Sequence, residues 1–224
     1  MSNSLHTNHR WLCKGLLLAC LLFLAQAPQA RTVRDFFASE PGDVFMLIQP
    51  NMRLDLMDYY DSGQRVFATN NLGNGTQLDT ITDVYMKLHT SAARTVQLRM
   101  VPMMRDTVLA VIETVLTPVP DSHITFYNKN WVPLRSIKPF EMPTLADFFL
   151  PATPRERRDD LTRTLPFAPI KLDFAGENFG ELRASHGLNR FLSREEFAQW
   201  QPHLVSELRY RLQGRKFKLQ KSPN

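Results

Sequence analysis

The sequence predicts an α+β protein: a curved, mainly antiparallel β-meander packed against short N-terminal helices, with a second, smaller β-rich part toward the C-terminus. Three observations carry this. Residues 107–117 form an almost unbroken apolar run rich in Val and Thr, closed by Pro118, which reads as a strand buried on both faces. The segments flanking it alternate apolar and polar residues with period two, the habit of an antiparallel sheet with one dry and one wet face. The segments before Gly63 instead space their apolar residues at helical intervals.

The chain of 224 residues opens in a different physical regime. Arg10 and Lys14 precede the apolar stretch 15–25, and small residues follow, the layout of a secretory signal peptide. That stretch is too short to span a bilayer, which needs about 20 residues. A cut after Ala27 would leave Pro28 just behind it, whereas a cut after Ala30 gives a mature start at or near Arg31. The alternative is a lipoprotein box, Leu17-Leu18-Ala19-Cys20, with Cys20 lipidated. Either route takes the protein out of the cytoplasm, to the periplasm or the outer membrane.

This divides the chain into residues 1–30 (leader), 31–140 (helices plus antiparallel sheet), 141–167 (Pro-rich connector) and 168–224 (C-terminal strands and one helix packed on the first part). Both cysteines, Cys13 and Cys20, lie in the leader, so a chain cut near Arg31 has no disulfide and no thiolate metal site. Removing Arg10 and Lys14 from the 27 basic residues leaves 25 against 22 acidic ones, an excess of +3. So mild an excess points to no nucleic-acid or other polyanionic partner.

In order, Thr32 is placed to cap a short helix whose Val33, Phe36 and Phe37 share a face, halted by Pro41-Gly42. Residues 43–48 predict a further helical turn or two, with Val44, Leu47 and Ile48 together. After Pro50 a longer helix carries Met52, Leu56 and Tyr59 or Tyr60 on one face and stops at Gly63. Residues 65–69 and 76–82 then predict a hairpin across Asn74-Gly75. Strands follow at 82–89 and 95–101, the second with Val96, Leu98 and Met100 inward and Gln97 and Arg99 outward. Arg105-Asp106 turns the chain into the run at 107–117, the segment through Asp121-Ser122 turns it out, and residues 123–127 make the next strand.

From 128 to 167 repeated prolines predict a connector draped on the surface. Alternation resumes at Ile170, Leu172 and Phe174, with residues 180–185 pairing back. Ser193 and Glu196 form a capping box for a helix carrying Phe197 and Trp200 and ending at Pro202. Leu208, Tyr210 and Leu212 line one side of a last strand, and Gly214 turns it back.

Taken together, the segment NMRLDLMDYYDSG, the TITDVYMKL strand, DSHITFY before Trp131, and SREEFAQWQPHL followed by LRYRLQGRKF resemble the domain-of-unknown-function family 3256. The resemblance covers essentially all of the mature chain and rests on order and spacing. It departs at Met52, where a second Asn is expected, and at Val84, where an acidic residue is common. The resemblance implies exported proteins of Bacteroides-type bacteria, and a curved sheet of the nuclear-transport-factor-like cone type. It implies no activity.

Chemistry-bearing patterns are sparse. Asp121-Ser122-His123 brings together the residue types of a serine hydrolase, yet neighbours in a strand point to opposite faces and no G-x-S-x-G elbow is present. Asp55, Asp58 and Asp61 could line one helical side but lack EF-hand spacing, and His89, His123, His186 and His203 lack zinc-ligand spacing, so no metal and no other cofactor is predicted. The basic cluster at 155–158 is neutralised by Asp159-Asp160, and the tail from Arg215 has no aromatic interleaving; both read as solvated surface. Tyr59, Tyr60, Tyr85 and Tyr127, with Phe67, are the candidates to line a ligand pocket in the curved sheet. The function that follows is a non-enzymatic envelope protein that binds a protein or small ligand, or serves as a scaffold. The alternative is a hydrolase with a pocket over the sheet, using Asp58, Tyr85 or His123 as acid or base.

Overall fold

The N-terminal helices form where their caps are. In the computed structural model, which describes residues 30–103, 106–165, 167–176 and 179–220, helix α1 (Val33–Ala38) opens on a capping box. The Thr32 N–H and hydroxyl both donate to the Asp35 carboxylate, at 2.7 and 3.0 Å. Helix α2 (Pro50–Asp61) starts on Pro50, whose missing N–H would find no partner in a first turn anyway. The leader in residues 1–30 lies outside the described residues but for Ala30, as do Arg105 and the link Glu177-Asn178.

Between these helices the structure departs from expectation: residues 43–48 are a bend and one turn, not a helix. The cause is Glu40, whose carboxylate accepts the Val44 and Phe45 N–H groups at 2.8 and 3.4 Å and so takes the place of helical carbonyls. The inner face of α2 keeps Leu56 as expected but is centred nearer Arg53 and Met57. Arg53, Leu56 and Met57 are buried, while Met52 and both tyrosines are only half-buried. Arg53 is 1% exposed; it donates to the carbonyls of Phe37, Glu40 and Ile48 and pairs with the Glu40 carboxylate at 2.9 Å. A buried ion pair is tolerable only with its remaining donors satisfied in this way.

The helices cover one face of a six-stranded antiparallel meander, β1 (Ala68–Thr69), β2 (Gly75–Ile81), β3 (Tyr85–Ser91), β4 (Arg94–Met103), β5 (Asp106–Val115) and β6 (Asp121–Tyr127), in that spatial order. The apolar run is β5, flanked by β4 and β6 and buried on both sides. Leu109 and Val111 pack with the helices, and Val108, Ala110 and Ile112 pack on the opposite face. The first hairpin turns at Gly73, with φ of 75°, and the Asn70 side-chain oxygen accepts the Leu72 and Asn74 N–H groups. The positive φ expected at Asn74-Gly75 therefore falls at Gly73, and Gly75 already opens β2. Residues 82–84, expected as strand, form a turn in which the Thr82 hydroxyl accepts the Val84 and Tyr85 N–H groups.

The second sheet is β7 (Ile170–Ala175), β8 (Glu181–His186), β9 (Glu207–Gln213) and β10 (Lys216–Leu219), ordered β10-β9-β8-β7. Both sheets are open. The smaller one packs on the face of the meander that period-two alternation marks as wet, so Thr95, Gln97 and Arg99 of β4 are buried. Ser122, expected in a turn, lies buried within β6. The connector at 141–167 is mostly exposed, as a surface segment should be, but buried residues pin it to the core. Leu145 and Phe148 of a 3-10 turn, and Leu161 of helix α3 (Arg155–Thr164), enter the core shared by the two sheets.

Polar side chains on that face serve the edge of the second sheet. The outward N–H groups of β7 donate in sequence to Asp121 (Ile170, 3.0 Å), Ser122 (Leu172, 2.9 Å) and Gln97 (Phe174, 3.0 Å). An edge strand whose donors are occupied offers no template for another chain. After β8, helices α4 (Leu188–Phe191) and α5 (Arg194–Trp200) follow, α5 opened by the expected Ser193–Glu196 box and continued through Pro202 by a 3-10 turn. Residues from Thr32 onward make one compact unit, and among the described residues no helix is long and apolar enough to cross a membrane.

Candidate functional site

The four tyrosines do not converge. Tyr85 faces the second sheet, donates its hydroxyl to Gln97 at 3.0 Å and stacks on Phe179 with ring centroids 3.8 Å apart. Burial pushes its phenol far above the ordinary value. Tyr127 is on the opposite face of the same sheet, edge-on to Trp131 at 5.5 Å. Tyr60 lies on that side too, under the Arg65 guanidinium at 4.8 Å, with Tyr59 half-buried next to it in α2. The thickness of the meander therefore separates Tyr85 from the others, and Phe67 is exposed.

The alternative acid–base set is dispersed as well: Asp58 is exposed on α2, His123 is exposed on β6, and Tyr85 is in the core. In Asp121-Ser122-His123 only Ser122 is buried, where it bonds Thr114 at 2.8 Å; Asp121 is spent on the Ile170 N–H and His123 is exposed. Of the helical aspartates, Asp61 is taken by Arg34 in a two-pronged pair at 2.6 and 2.9 Å, which holds its carboxyl below the usual range. Arg158 of the basic cluster turns back to the carbonyls of Leu150, Pro151 and Thr153.

What the structure does assemble is an open-mouthed cleft of about 590 Å³ where β7 and β8 meet α4 and α5. Its size is that of small-molecule sites in general. At the cleft's edge the backbone of Gly187 packs closely on Val119, where a Cβ would run into the Val119 side chain; the Gly187 N–H donates to the Pro169 carbonyl at 2.9 Å. His186, the last residue of β8, lines the cleft between Phe148 and Phe197, with ring centroids 5.2 and 6.2 Å away. Its Nδ1 is buried and, among the described residues, has no hydrogen-bond partner. Burial pulls the imidazole below its ordinary value, opposed by a hydrogen bond with the Val205 backbone.

Leu116, Pro120 and Phe197 supply an apolar wall, and Lys171 and Arg190 bring two cations to the lining. Among the described residues no carboxylate lines the cleft; the Asp173 carboxylate stands 3.9 Å from the Lys171 ammonium, and Asp121 is engaged by Ile170. Such an arrangement can hold a molecule with an apolar part and a polar or anionic end. It has no acid to orient His186 as a base. Sequence reasoning missed His186, Lys171 and Arg190 as a group, since they come from two strands and a helix. The local signal was slight: a glycine directly behind a strand-end histidine, ahead of a capped helix.

Over residues 25–217 the chain matches the family described as Protein of unknown function (DUF3256). It is similar in structure to a solved domain of an uncharacterized protein from Porphyromonas gingivalis W83. The TM-score is 0.70 and the identity 24%, over 84% of this chain and 97% of that one. At that identity the likeness concerns the fold. No curated protein matches.

Proposed function

The chain belongs to the DUF3256 family, and from that premise we propose that it is an exported binding protein, periplasmic or held at the outer membrane, that takes a small ligand in the cleft beside His186. The observation that carries the binding half is the contrast between the two places chemistry could sit. The space over the meander is filled by side chains of the second sheet and connector, and Asp58, Tyr85 and His123 are held apart. The cleft is open and offers an apolar wall beside polar groups, without a carboxylate to pair with its histidine. Export is supported by the charged start, apolar stretch and small residues of the first thirty positions.

Two measurements test this. N-terminal sequencing of the protein from fractionated cells is expected to give a periplasmic or outer-membrane species starting at or near Arg31; an intact Met1 in the cytoplasm refutes export. Native mass spectrometry of that protein is expected to show a bound small molecule at near-stoichiometric occupancy. Turnover of an ester panel that is lost in a His186→Gln variant would instead make the protein a hydrolase.

A further inference from the structure

The chemical character of the cleft goes further than its existence. Resting on the binding reading above, we propose that the cleft selects a small organic anion: a carboxylate or phosphate monoester attached to an apolar group of roughly aromatic-ring size. Lys171 and Arg190 are among the residues that line it, and none of the described lining residues is acidic. Arg190 sits on the exposed side of α4, its backbone tied to Gly187 at 3.0 Å, so the helix fixes where its side chain starts. Lys171 is only loosely compensated by Asp173 at 3.9 Å, and an anion within hydrogen-bond reach would compete for it directly. A guanidinium gives two parallel donors to a carboxylate or phosphate, while an ammonium acts as a point charge.

The remaining lining groups fit the same ligand. Ser185, Ser206 and Asn189 offer hydroxyl and amide donors in the same lining, and Leu116, Pro120 and Phe197 give the apolar body a wall. His186, set between two phenylalanine rings, extends that wall. A neutral ligand of the same shape would gain the wall and leave both cations solvated. The preference for the anion is therefore set by Lys171 and Arg190.

The test is calorimetric titration of the isolated protein with phenyl phosphate, benzoate and phenol, at low ionic strength because exposed cations are screened by salt. Either anion, or both, is expected to bind at least tenfold more tightly than phenol, and the two anions compared with each other identify phosphate or carboxylate as the head group. The Lys171→Gln/Arg190→Gln double variant, whose fold is checked by circular dichroism, is expected to lose at least tenfold in affinity for the anion while phenol binding stays unchanged. Phenol binding as well as the anions, or a double variant that keeps wild-type affinity, overturns the assignment of charge but leaves the cleft a ligand site. Failure of all three probes, with native mass spectrometry also showing no adduct, overturns the binding reading itself.

Discussion

Replacing Gln97 by Met tests whether the two sheets are held together by polar side chains or by apolar contact alone. Gln97 is 1% exposed and its Oε1 accepts both the Tyr85 hydroxyl and the Phe174 N–H, each at 3.0 Å. Methionine has nearly the same length and fills the same space, so the change removes the acceptor and leaves packing close to intact. Two buried donors are then orphaned, each costing about 1–3 kcal/mol, so the expected loss is about 2–6 kcal/mol. Against a typical total of about 5–15 kcal/mol this is a large share. The assay is urea denaturation, read from the midpoint at unchanged slope. A Tyr85→Phe substitution removes one of the two orphans, so it is expected to recover about 1–3 kcal/mol in the Gln97→Met background and to cost about 0.5–1.5 kcal/mol in the wild type. A Gln97→Met protein within about 0.5 kcal/mol of wild type, or a Tyr85→Phe effect of the same sign and size in both backgrounds, would refute the reasoning.

Arg53→Met leaves the Glu40 carboxylate buried and without its cation, and is expected to cost about 3–5 kcal/mol, or roughly 6–20 °C in Tm, by differential scanning calorimetry. Adding Glu40→Gln to it should restore part of the loss. Gly187→Ala places a methyl against the stiff Val119 side chain and is expected to cost about 1–3 kcal/mol in denaturant melts, whereas Gly187→Ala with Val119→Ala should be milder. For His186 the folded imidazole titrates below the unfolded one, which takes up its proton near about pH 6.5. Between those two values the unfolded chain binds more protons, so stability is full above about pH 6.5 and falls as pH drops below it. A His186→Gln variant should therefore show a shallower decline of unfolding free energy from pH 7 to pH 5, measured by urea melts at each pH.

The α+β class, the meander and its strand order were legible because β-branched runs and period-two alternation report directly on pairing. Where the reading failed, a polar side chain had taken on a backbone's or a core residue's work. Glu40 replaces helical carbonyls for Val44 and Phe45, and Arg53 sits where an apolar residue would mark the stripe. Most instructive is β4. Gln97 and Arg99 read as the wet side of a strand, yet they are buried because a second sheet, encoded more than seventy residues later, lies on them. Alternation tells which residues share a face. It does not tell what covers that face.

The cleft escaped the sequence for a related reason, and that reason bears on how the site works. Its residues follow no motif because they are what remains at a junction of elements formed for packing. His186 and Ser185 end a strand, Lys171 lies on the strand beside it, and Arg190 rides the short helix that Gly187 lets in over Val119. Each has a local explanation that needs no ligand. Only the juxtaposition of two cations, an apolar wall and no acid in one concavity asks for another. The site is thus as rigid as the sheet end and Gly187 make it, and a substitution at Gly187 should reach ligand affinity through geometry, while substitutions at Lys171 or Arg190 reach it through charge. Measuring both on the same anion separates the two contributions, since a geometric defect weakens phenol and phenyl phosphate alike and a charge defect weakens only the phosphate.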